Sequence, residues 1–281
     1  MANLTSLNSN NELFNEIIVE AQYTAQENSI MRPLVNMFPV ANAVGNIVQI
    51  PKFSDFTINT STTEGGDLTA EALGMETSTT ISMAERAAMS LLTDDAVESL
   101  PNYNLAAEIG RILGQKMAVQ FDTDAMAKFA DFKGANDIGA SGTEVELTAD
   151  VLFQAAAKLR TELATGNMVG VFHPMAVYNL KKQLANAGDA NLGALSNVGN
   201  TALQSGLVGS VAGITIFEST LASVGGVFTL DALGGAMKRD VRLETERDAS
   251  KRATEVVGSA VWGFSAVKPE NGVAVYTDNA I

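Results

Sequence analysis

The chain has 281 residues, is 46% hydrophobic and 18% charged, and carries a net charge of −14 at pH 7. This length and composition suit one large folded domain or two smaller ones and exclude a disordered tail. There is no cysteine and a single histidine, His173, which excludes disulfide frameworks, iron–sulfur clusters and multi-histidine zinc sites. Gly-x-Gly and Gly-Lys are also absent, which excludes dinucleotide-binding and Walker A loops.

The negative charge is concentrated in one half of the chain. Residues 1–150 contain 21 acidic and 7 basic residues, whereas residues 151–281 contain 11 of each. A protein that binds nucleic acid through its phosphates needs a basic stripe. Because the average charge here repels phosphate, we predict no sequence-specific binding of DNA or RNA.

Two stretches show this asymmetry most strongly. No Lys or Arg occurs between Phe53 and Glu85, whereas six bases and four acids occur between Lys238 and Arg252. The two stretches are either two solvated surfaces of a monomer or two complementary faces that meet between copies of the chain.

In chain order, residues 1–45 are predicted to form an arm. An Asn- and Ser-rich start precedes a short amphipathic helix at 12–26 and apolar pieces interrupted by prolines. Residues 1–6 lack the basic and apolar regions of a secretory signal, and no run approaches the roughly 18 apolar residues of a membrane span. We therefore expect no membrane association and an arm that packs on something else.

Residues 46–92 are predicted to be extended. Strands at 46–50 and 53–59 lead to a polar, turn-rich tip at 60–74, and 77–84 returns as the partner strand. Such a Thr- and Ser-rich hairpin has few large apolar side chains and is marginal on its own in water. We expect another chain to support it.

A long helix is predicted over about 102–132. Its apolar residues recur every three or four positions, and roughly 28 residues at about 1.5 Å each span about 42 Å. These apolar residues are Leu105, Ile109, Ile112, Leu113, Met117, Phe121, Ala125 and Phe129. The pairs Asp94-Asp95 and Asp122-Thr-Asp124 have ligands for a hard cation, but without further ligands in register we interpret them as solvated carboxylates.

An α/β segment is predicted to follow. Thr148 caps a helix that ends at Gly166, and the residues expected to face inward are Val151, Leu152, Ala155, Leu159 and Leu163. Residues 168–172 form a buried strand, and His173-Pro174 turns into a second helix. The Gly/Asn/Ser loop at 189–206 is long for a connection. No catalytic set accompanies His173 or this loop, so we predict that the protein is not an enzyme.

The C-terminal part is predicted to be β. Val241, Leu243 and Thr245 alternate with charged residues, and 254–261 is the expected partner strand. Trp262, with Phe264, and residues 273–276 are expected to complete a sheet, the aromatic rings lying in the core.

This order of parts resembles the major capsid protein of tailed bacteriophages, the Hong Kong 97-type fold. The strand–Pro–helix element Val171-Phe172-His173-Pro174, followed by Tyr178 and Leu180, is similar to an element of that family. So is the segment GSVAGITIFES at 209–219. The most telling similarity is between ERDASKRATEVVGSAVWG at 246–263 and the late strands of the family's peripheral domain.

The resemblance implies an α+β fold with five recognisable parts. The first two are an N-terminal arm at 1–45 and an extended E-loop hairpin at 46–87. An axial α/β domain at 148–234 presents the 189–206 loop at the capsomer centre. A peripheral β-sheet domain combines 88–147 with 235–281 and contains a long spine helix near 102–132.

The function implied by the resemblance is structural. Copies form hexamers and pentamers of an icosahedral head shell, a virion component that assembles in the host cytoplasm and encloses double-stranded DNA without reading its sequence. The resemblance also implies a portal protein and leaves a cement protein open. Because the chain begins almost at the arm, we expect scaffolding from a separate protein.

Some relatives join the hairpin to a neighbour through a Lys–Asn isopeptide bond. No Lys lies between Lys52 and Lys116 in this chain, so we expect a non-covalent shell. The acidic hairpin is expected to dock on bases of a neighbouring subunit. The acids are Asp55, Glu64, Asp67, Glu71 and Glu76, and the bases are Arg239, Arg242, Arg247 and Arg252. No cofactor or metal is expected.

Two other functions stay open. The first is the shell of an encapsulin-type nanocompartment, which has the same fold and a protein cargo. The second is an unrelated soluble enzyme or binding protein of the α+β class, which would need a convergent polar site that the sequence does not offer.

Overall fold

A computed structural model describes residues 29–40, 45–53, 58, 72–75, 78–95, 105–187 and 210–278. The helices are α1 (Leu105–Met126), α2 (Ala149–Thr161) and α3 (Pro174–Ala187). The first strands are β1 (Asn36–Pro39), β2 (Ile47–Ile50), β3 (Thr79–Ser82), β4 (Ala84–Thr93) and β5 (Met168–Phe172). The later strands are β6 (Ser210–Val211), β7 (Ile214–Glu218), β8 (Gly225–Thr229), β9 (Leu233–Asp248), β10 (Ala253–Ala266) and β11 (Gly272–Val275). In this part of the chain, no helix combines the length and apolarity of a membrane span.

A four-stranded sheet with strand order β1-β9-β10-β4 carries the long helix. The predicted pairing of 254–261 with the strand around Val241 is confirmed, since β9 and β10 form an antiparallel hairpin. Helix α1 packs on one face of this sheet. The Phe121 ring stands edge-on to Trp262 at 5.6 Å and to Phe264 at 4.8 Å between ring centroids, so both aromatic residues lie in the core as predicted.

The long helix changes pitch before the predicted end. Residues 102–104 lie outside the described part, α1 ends at Met126, and a 3-10 helix, Ala127–Asp131, continues it. After this tighter turn, the rings of Phe129 and Phe132 pack against glycines of β8 and β11. A Cβ on Gly226 would lie 2.7 Å from the Phe129 ring, and one on Gly272 would lie 2.4 Å from the Phe132 ring.

The second sheet has five strands in the order β11-β8-β5-β7-β6. The expectation that 273–276 completes a sheet of the C-terminal part is wrong, because β11 pairs with β8 of the α/β segment. All residues of β5, β8 and β11 are buried. Helices α2 and α3 cover one face of this sheet and the phenylalanines after α1 cover the other. A strand buried on both faces shows a continuous apolar run and no alternation.

Helix α2 has the predicted beginning and an earlier end. The Thr148 hydroxyl accepts a hydrogen bond from the Val151 amide at 3.3 Å, as a helix cap does. The helix stops at Thr161, five residues before Gly166. Leu163 does not face inward, because its backbone turns into the left-handed region (φ 57°) and its side chain is 83% exposed.

His173 has the predicted role at a helix start. Its Nδ1 accepts a hydrogen bond from the Met175 amide at 3.3 Å, and α3 begins at the adjacent Pro174. An amide in the first turn of a helix has no partner within the helix, so this ring nitrogen satisfies it.

The described part of the arm, residues 29–40, packs on its own chain. Asp122 of α1 is 3% exposed and accepts hydrogen bonds from the Ser29 hydroxyl at 2.6 Å and from the amides of Ile30 and Met31 at 2.9 and 3.1 Å. Met31 is fully buried beside it. The interpretation of Asp122 as a solvated carboxylate is therefore wrong, as is an arm whose whole length packs elsewhere. The predicted helix at 12–26 lies outside the described residues.

Asp124 is the second carboxylate of α1 with defined partners. It accepts hydrogen bonds from Arg86 of β4 at 2.9 Å, from the Trp262 indole of β10 at 3.0 Å and from Gln120 at 2.8 Å. The helix is thus bonded to two strands of the sheet through one side chain, and Asp124 is also not a solvated carboxylate.

The base of the predicted hairpin folds over the other face of the four-stranded sheet. Strands β2 and β3 pair with each other, and Ile81 and Met83 pack on Ala236 and Val261. The two layers approach so closely that a Cβ on Gly263 would lie 2.1 Å from the Ser82 carbonyl oxygen. Most of the hairpin tip lies outside the described residues.

We expect Asp122→Asn to lower the free energy of unfolding by about 2–4 kcal/mol, measured by urea denaturation of the unassembled subunit. The substitution removes the negative charge and replaces one acceptor oxygen by an NH2 group, so at least one of the three donors loses its partner, which costs about 1–3 kcal/mol for each lost bond. Thr123→Ala is the matched control on the same turn, since Thr123 is exposed and its hydroxyl donates to the Val119 carbonyl of its own helix. It should change stability by less than about 0.5 kcal/mol; equal effects of the two variants would contradict the buried anchor.

Candidate assembly surface

The four candidate arginines are carried by β9 and its turn, but they do not lie together. In β9, Arg242 stands opposite Ser259, and Arg247 stands opposite Thr254. Successive side chains of a strand point to opposite faces, so Arg242 and Arg247 are on opposite faces of the sheet. Arg252 lies in the turn that joins β9 to β10.

Two of the four arginines pair with acids on or beside another strand of the sheet. Arg247 makes two hydrogen bonds to Asp94, both of 2.6 Å, and Arg239 is paired with Glu85 and donates to the Ser259 hydroxyl at 3.2 Å. Both acids belong to β4 or follow it, so each pair spans β10 from β9 to β4. These two arginines therefore link strands of their own subunit and are not free for an outside partner.

The turn between β9 and β10 is ordered by Asp248. Its carboxylate accepts hydrogen bonds from the Ser250 hydroxyl at 2.6 Å and from the amides of Ser250 and Lys251 at 2.9 and 3.3 Å. These donors hold the pKa of Asp248 at about 2. The Arg247 guanidinium likewise lowers the pKa of Asp94, and Asp94 raises the pKa of Arg247.

Arg242 and Arg252 are the arginines left for an outside partner. Arg242 pairs with Glu244 two residues along the strand, with both side chains 59% exposed, and such a pair adds little stability. The exposed side chain of Arg252 has no hydrogen bond or ion pair within the part of the chain that the structure describes. The five candidate acids, Asp55, Glu64, Asp67, Glu71 and Glu76, lie outside the described residues, so their docking stays a prediction.

An apolar strip accompanies Arg242 on its face of the sheet. Met89 of β4 is 62% exposed and Leu91 is 47% exposed, and both lie beside Val257 and Glu255 of β10. An exposed apolar strip with a charged border is typical of a protein contact. The sequence analysis missed it, although the alternation of Ala87, Met89 and Leu91 was a readable signal.

A groove of about 320 Å³ separates the hairpin base from the end of α1. It is lined by Thr80 and Ser82 of β3, by the Arg86–Asp124 pair and by Trp262. Within the described segments, no three His, Asp or Glu side chains gather as a metal site requires. The groove therefore offers hydrogen bonds and the Arg86–Asp124 ion pair.

A lysine joins the loop after α1 to the second sheet. The Lys158 ammonium of α2 donates to the carbonyls of Asn136 and Asp137 at 3.0 and 2.8 Å. Burial raises the pKa of Asp137 at this junction. At the same C-terminal end of α2, Lys133 donates to Glu162 at 2.5 Å and lowers the pKa of that carboxyl.

Three non-glycine residues in the described segments have left-handed backbone: Leu163 and Ala212 at φ 57° and Arg252 at φ 48°. This conformation costs an L-residue roughly 1–2 kcal/mol relative to its ordinary helical form. Such strain concentrates where a side chain has a role. Two of the three residues, Leu163 and Arg252, also have exposed side chains.

No protein family model matches the chain, and no curated protein matches it. Solved structures do. The capsid structure of cyanophage P-SCSP1u has 18% sequence identity and a TM-score of 0.69 over 90% of this chain and 89% of its own. The mature capsid asymmetric unit of bacteriophage PhiM1 has 17% identity and a TM-score of 0.67 over 90% and 88%. A virus-like particle from Pyrococcus furiosus has 8% identity and a TM-score of 0.63 over 93% and 98%.

These similarities cover nearly the whole of each chain, and at such low identity they establish the fold. The chain has the α+β fold that capsid proteins of the Hong Kong 97 type share, and the resemblance seen in the sequence is confirmed at that level.

We expect Arg247→Met to raise the titration midpoint of Asp94 toward its ordinary value, because the two hydrogen bonds from Arg247 are the main cause of the lowered pKa. Carboxyl-carbon NMR of aspartate-labelled subunit measures this midpoint. Since the folded pKa is depressed, the stability from this pair is present above about pH 4 and is lost as the pH falls through the folded value.

Arg252→Met is the matched control for this titration, because Arg252 acts on Asp94 only through a weaker charge interaction. It should move the midpoint less than Arg247→Met does. An unchanged Asp94 midpoint in Arg247→Met would show that the ion pair does not form in solution.

Proposed function

We propose that the protein is the major capsid protein of a tailed bacteriophage, a structural subunit that assembles into hexamers and pentamers of an icosahedral head around double-stranded DNA. The observation that carries the proposal is the match of about nine tenths of the chain to phage capsid structures. The exposed apolar strip on β4 supports a subunit that is completed by its neighbours.

The charge of the chain supports the same function. A shell that encloses DNA must contain it without binding it tightly, and binding to phosphates grows with the number of basic contacts. A net charge of −14 keeps that number low. The absence of Lys between Lys52 and Lys116 supports a shell without isopeptide bonds from the hairpin tip. Separate scaffolding and portal proteins are part of this proposal.

The domain boundaries are proposed with one change. The arm at 1–45, the hairpin at 46–87 and the axial domain at 148–234 stay as stated in the sequence analysis. Residues 272–275 pair with the axial sheet, so we assign them to the axial domain. The loop at 189–206 lies outside the described residues and its place at the capsomer centre stays a proposal.

A second candidate is the shell of an encapsulin-type compartment. The similarity to the virus-like particle from Pyrococcus furiosus, which covers 93% of this chain and 98% of that one, favours it. The two candidates predict different contents, DNA for the phage head and a folded protein cargo for the compartment.

Light scattering and negative-stain electron microscopy of the expressed protein test the proposal. We expect closed particles or capsomers of five or six copies, and particles purified from the source should contain DNA. A protein cargo in place of DNA would favour the compartment. A 29.5 kDa monomer that persists under crowding and with co-expressed scaffolding proteins would contradict both shell functions.

If the acidic hairpin docks on a neighbour's free bases, Arg252→Glu should block particle formation and leave a folded subunit. The exposed Arg252 side chain makes no hydrogen bond or ion pair within the described residues and acts on Asp94 only through a weaker charge interaction, so charge reversal costs the subunit itself little. Arg252→Lys keeps the charge and should assemble normally. Sedimentation separates particles from subunits, and circular dichroism checks the fold. Normal particle yield from Arg252→Glu would overturn docking at this residue.

A further inference from the structure

Leu163 occupies a position that favours glycine. The Ala164 amide donates to the Leu159 carbonyl at 3.0 Å and the Leu163 amide donates to the Arg160 carbonyl at 3.1 Å, which is the Schellman pattern of a helix end. In this pattern the first residue after the C-cap adopts a left-handed backbone conformation, which glycine adopts without a Cβ clash. Here the residue is leucine, at φ 57°.

The Leu163 side chain is mostly in solvent and adds little to the packing of its own subunit. It is 83% exposed, whereas the apolar contact that accompanies this type of helix end is made by Ala164 on the core under α2. A leucine at this position thus adds backbone strain and exposes apolar surface to water. Both effects disfavour the isolated subunit.

A second exposed leucine lies at the same end of the axial sheet. Met168, which begins β5, pairs with Ile214 and Thr229, so the Leu163 turn, the turn before Ile214 and Leu230 share one end of the sheet. Leu230 is 43% exposed. The two acids next to these leucines are paired within the subunit, Glu162 with Lys133 at 2.5 Å and Asp231 with Lys268 at 3.4 Å. The exposed Arg160, three residues before Leu163, has no ion pair within the described residues.

We infer that Leu163 is an assembly contact that inserts into an apolar surface of a second copy of this chain. The inference rests on the proposed shell function. Two copies that each carry a charge of −14 repel one another on average, so a contact between them favours a patch that is apolar and whose acids are already paired. The end of the axial sheet has both properties. In a ring of identical subunits the contact is head-to-tail, so Leu163 meets a different surface of the neighbour.

The test uses Leu163→Gly, which changes the subunit and the assembly in opposite directions. Relief of the left-handed strain should raise the melting temperature of the unassembled subunit by about 2–4 °C. Loss of the apolar contact should raise the protein concentration at which particles form by roughly tenfold or more. Leu163→Met keeps an apolar side chain and should assemble as the unmodified protein does.

Ala212→Gly is the matched control. Ala212 has the same φ of 57°, so its replacement by glycine relieves the same strain without removing a large apolar side chain. The Ala212→Gly subunit should assemble at the unmodified protein's concentration. If Leu163→Gly also assembles at that concentration, the inference is overturned while the shell function stands. If the unmodified protein forms no particles even under crowding and with co-expressed scaffolding proteins, the shell function fails, and the inference fails with it.

Discussion

The carboxylate of Asp122 is the constraint on which the order of the described N-terminal residues depends. It lies 3% exposed on the long helix and accepts three hydrogen bonds from Ser29, Ile30 and Met31. A buried acceptor of this kind cannot be released without leaving donors unpaired. Two residues further along the same helix, Asp124 accepts hydrogen bonds from Arg86 and Trp262 of the sheet. The helix therefore fixes the start of the described chain on one side and the central sheet on the other.

Much of the local structure was predictable from the sequence because it depends on neighbours in the chain. The Thr148 cap, the turn at His173 and the β9–β10 hairpin each follow from residues a few positions apart. The buried state of Asp122 was not predictable, since its partners are more than 90 residues away. The place of β11 was missed for a related reason: a short apolar run indicates a buried strand but does not say which sheet buries it.

For the candidate contact residues, too, some features follow from neighbours in the chain and others depend on distant residues. Strand alternation alone places Arg242 and Arg247 on opposite faces, so that part was readable from the spacing. The pairing of Arg247 with Asp94 depends on the register of β9 and β4 on β10, which cannot be predicted from the sequence pattern. Leu163 was assigned to the core by helical periodicity, and the early end of α2 turned it outward. For Arg247 the strand alternation was right and the tertiary register decided its partner, whereas for Leu163 the predicted helix end itself was wrong.

The parallel pairing of β1 with β9 has a consequence for the timing of synthesis. Residues 36–39 pair with 234–237, so the first strand waits for about 200 further residues before its partner exists. At about 5–20 residues per second on the ribosome, that delay is roughly 10–40 seconds. The two central strands of the sheet are among the last elements to emerge, so the four-stranded sheet cannot form until nearly the whole chain has been made. A chain truncated before β9 lacks both the middle of this sheet and the partner of β1.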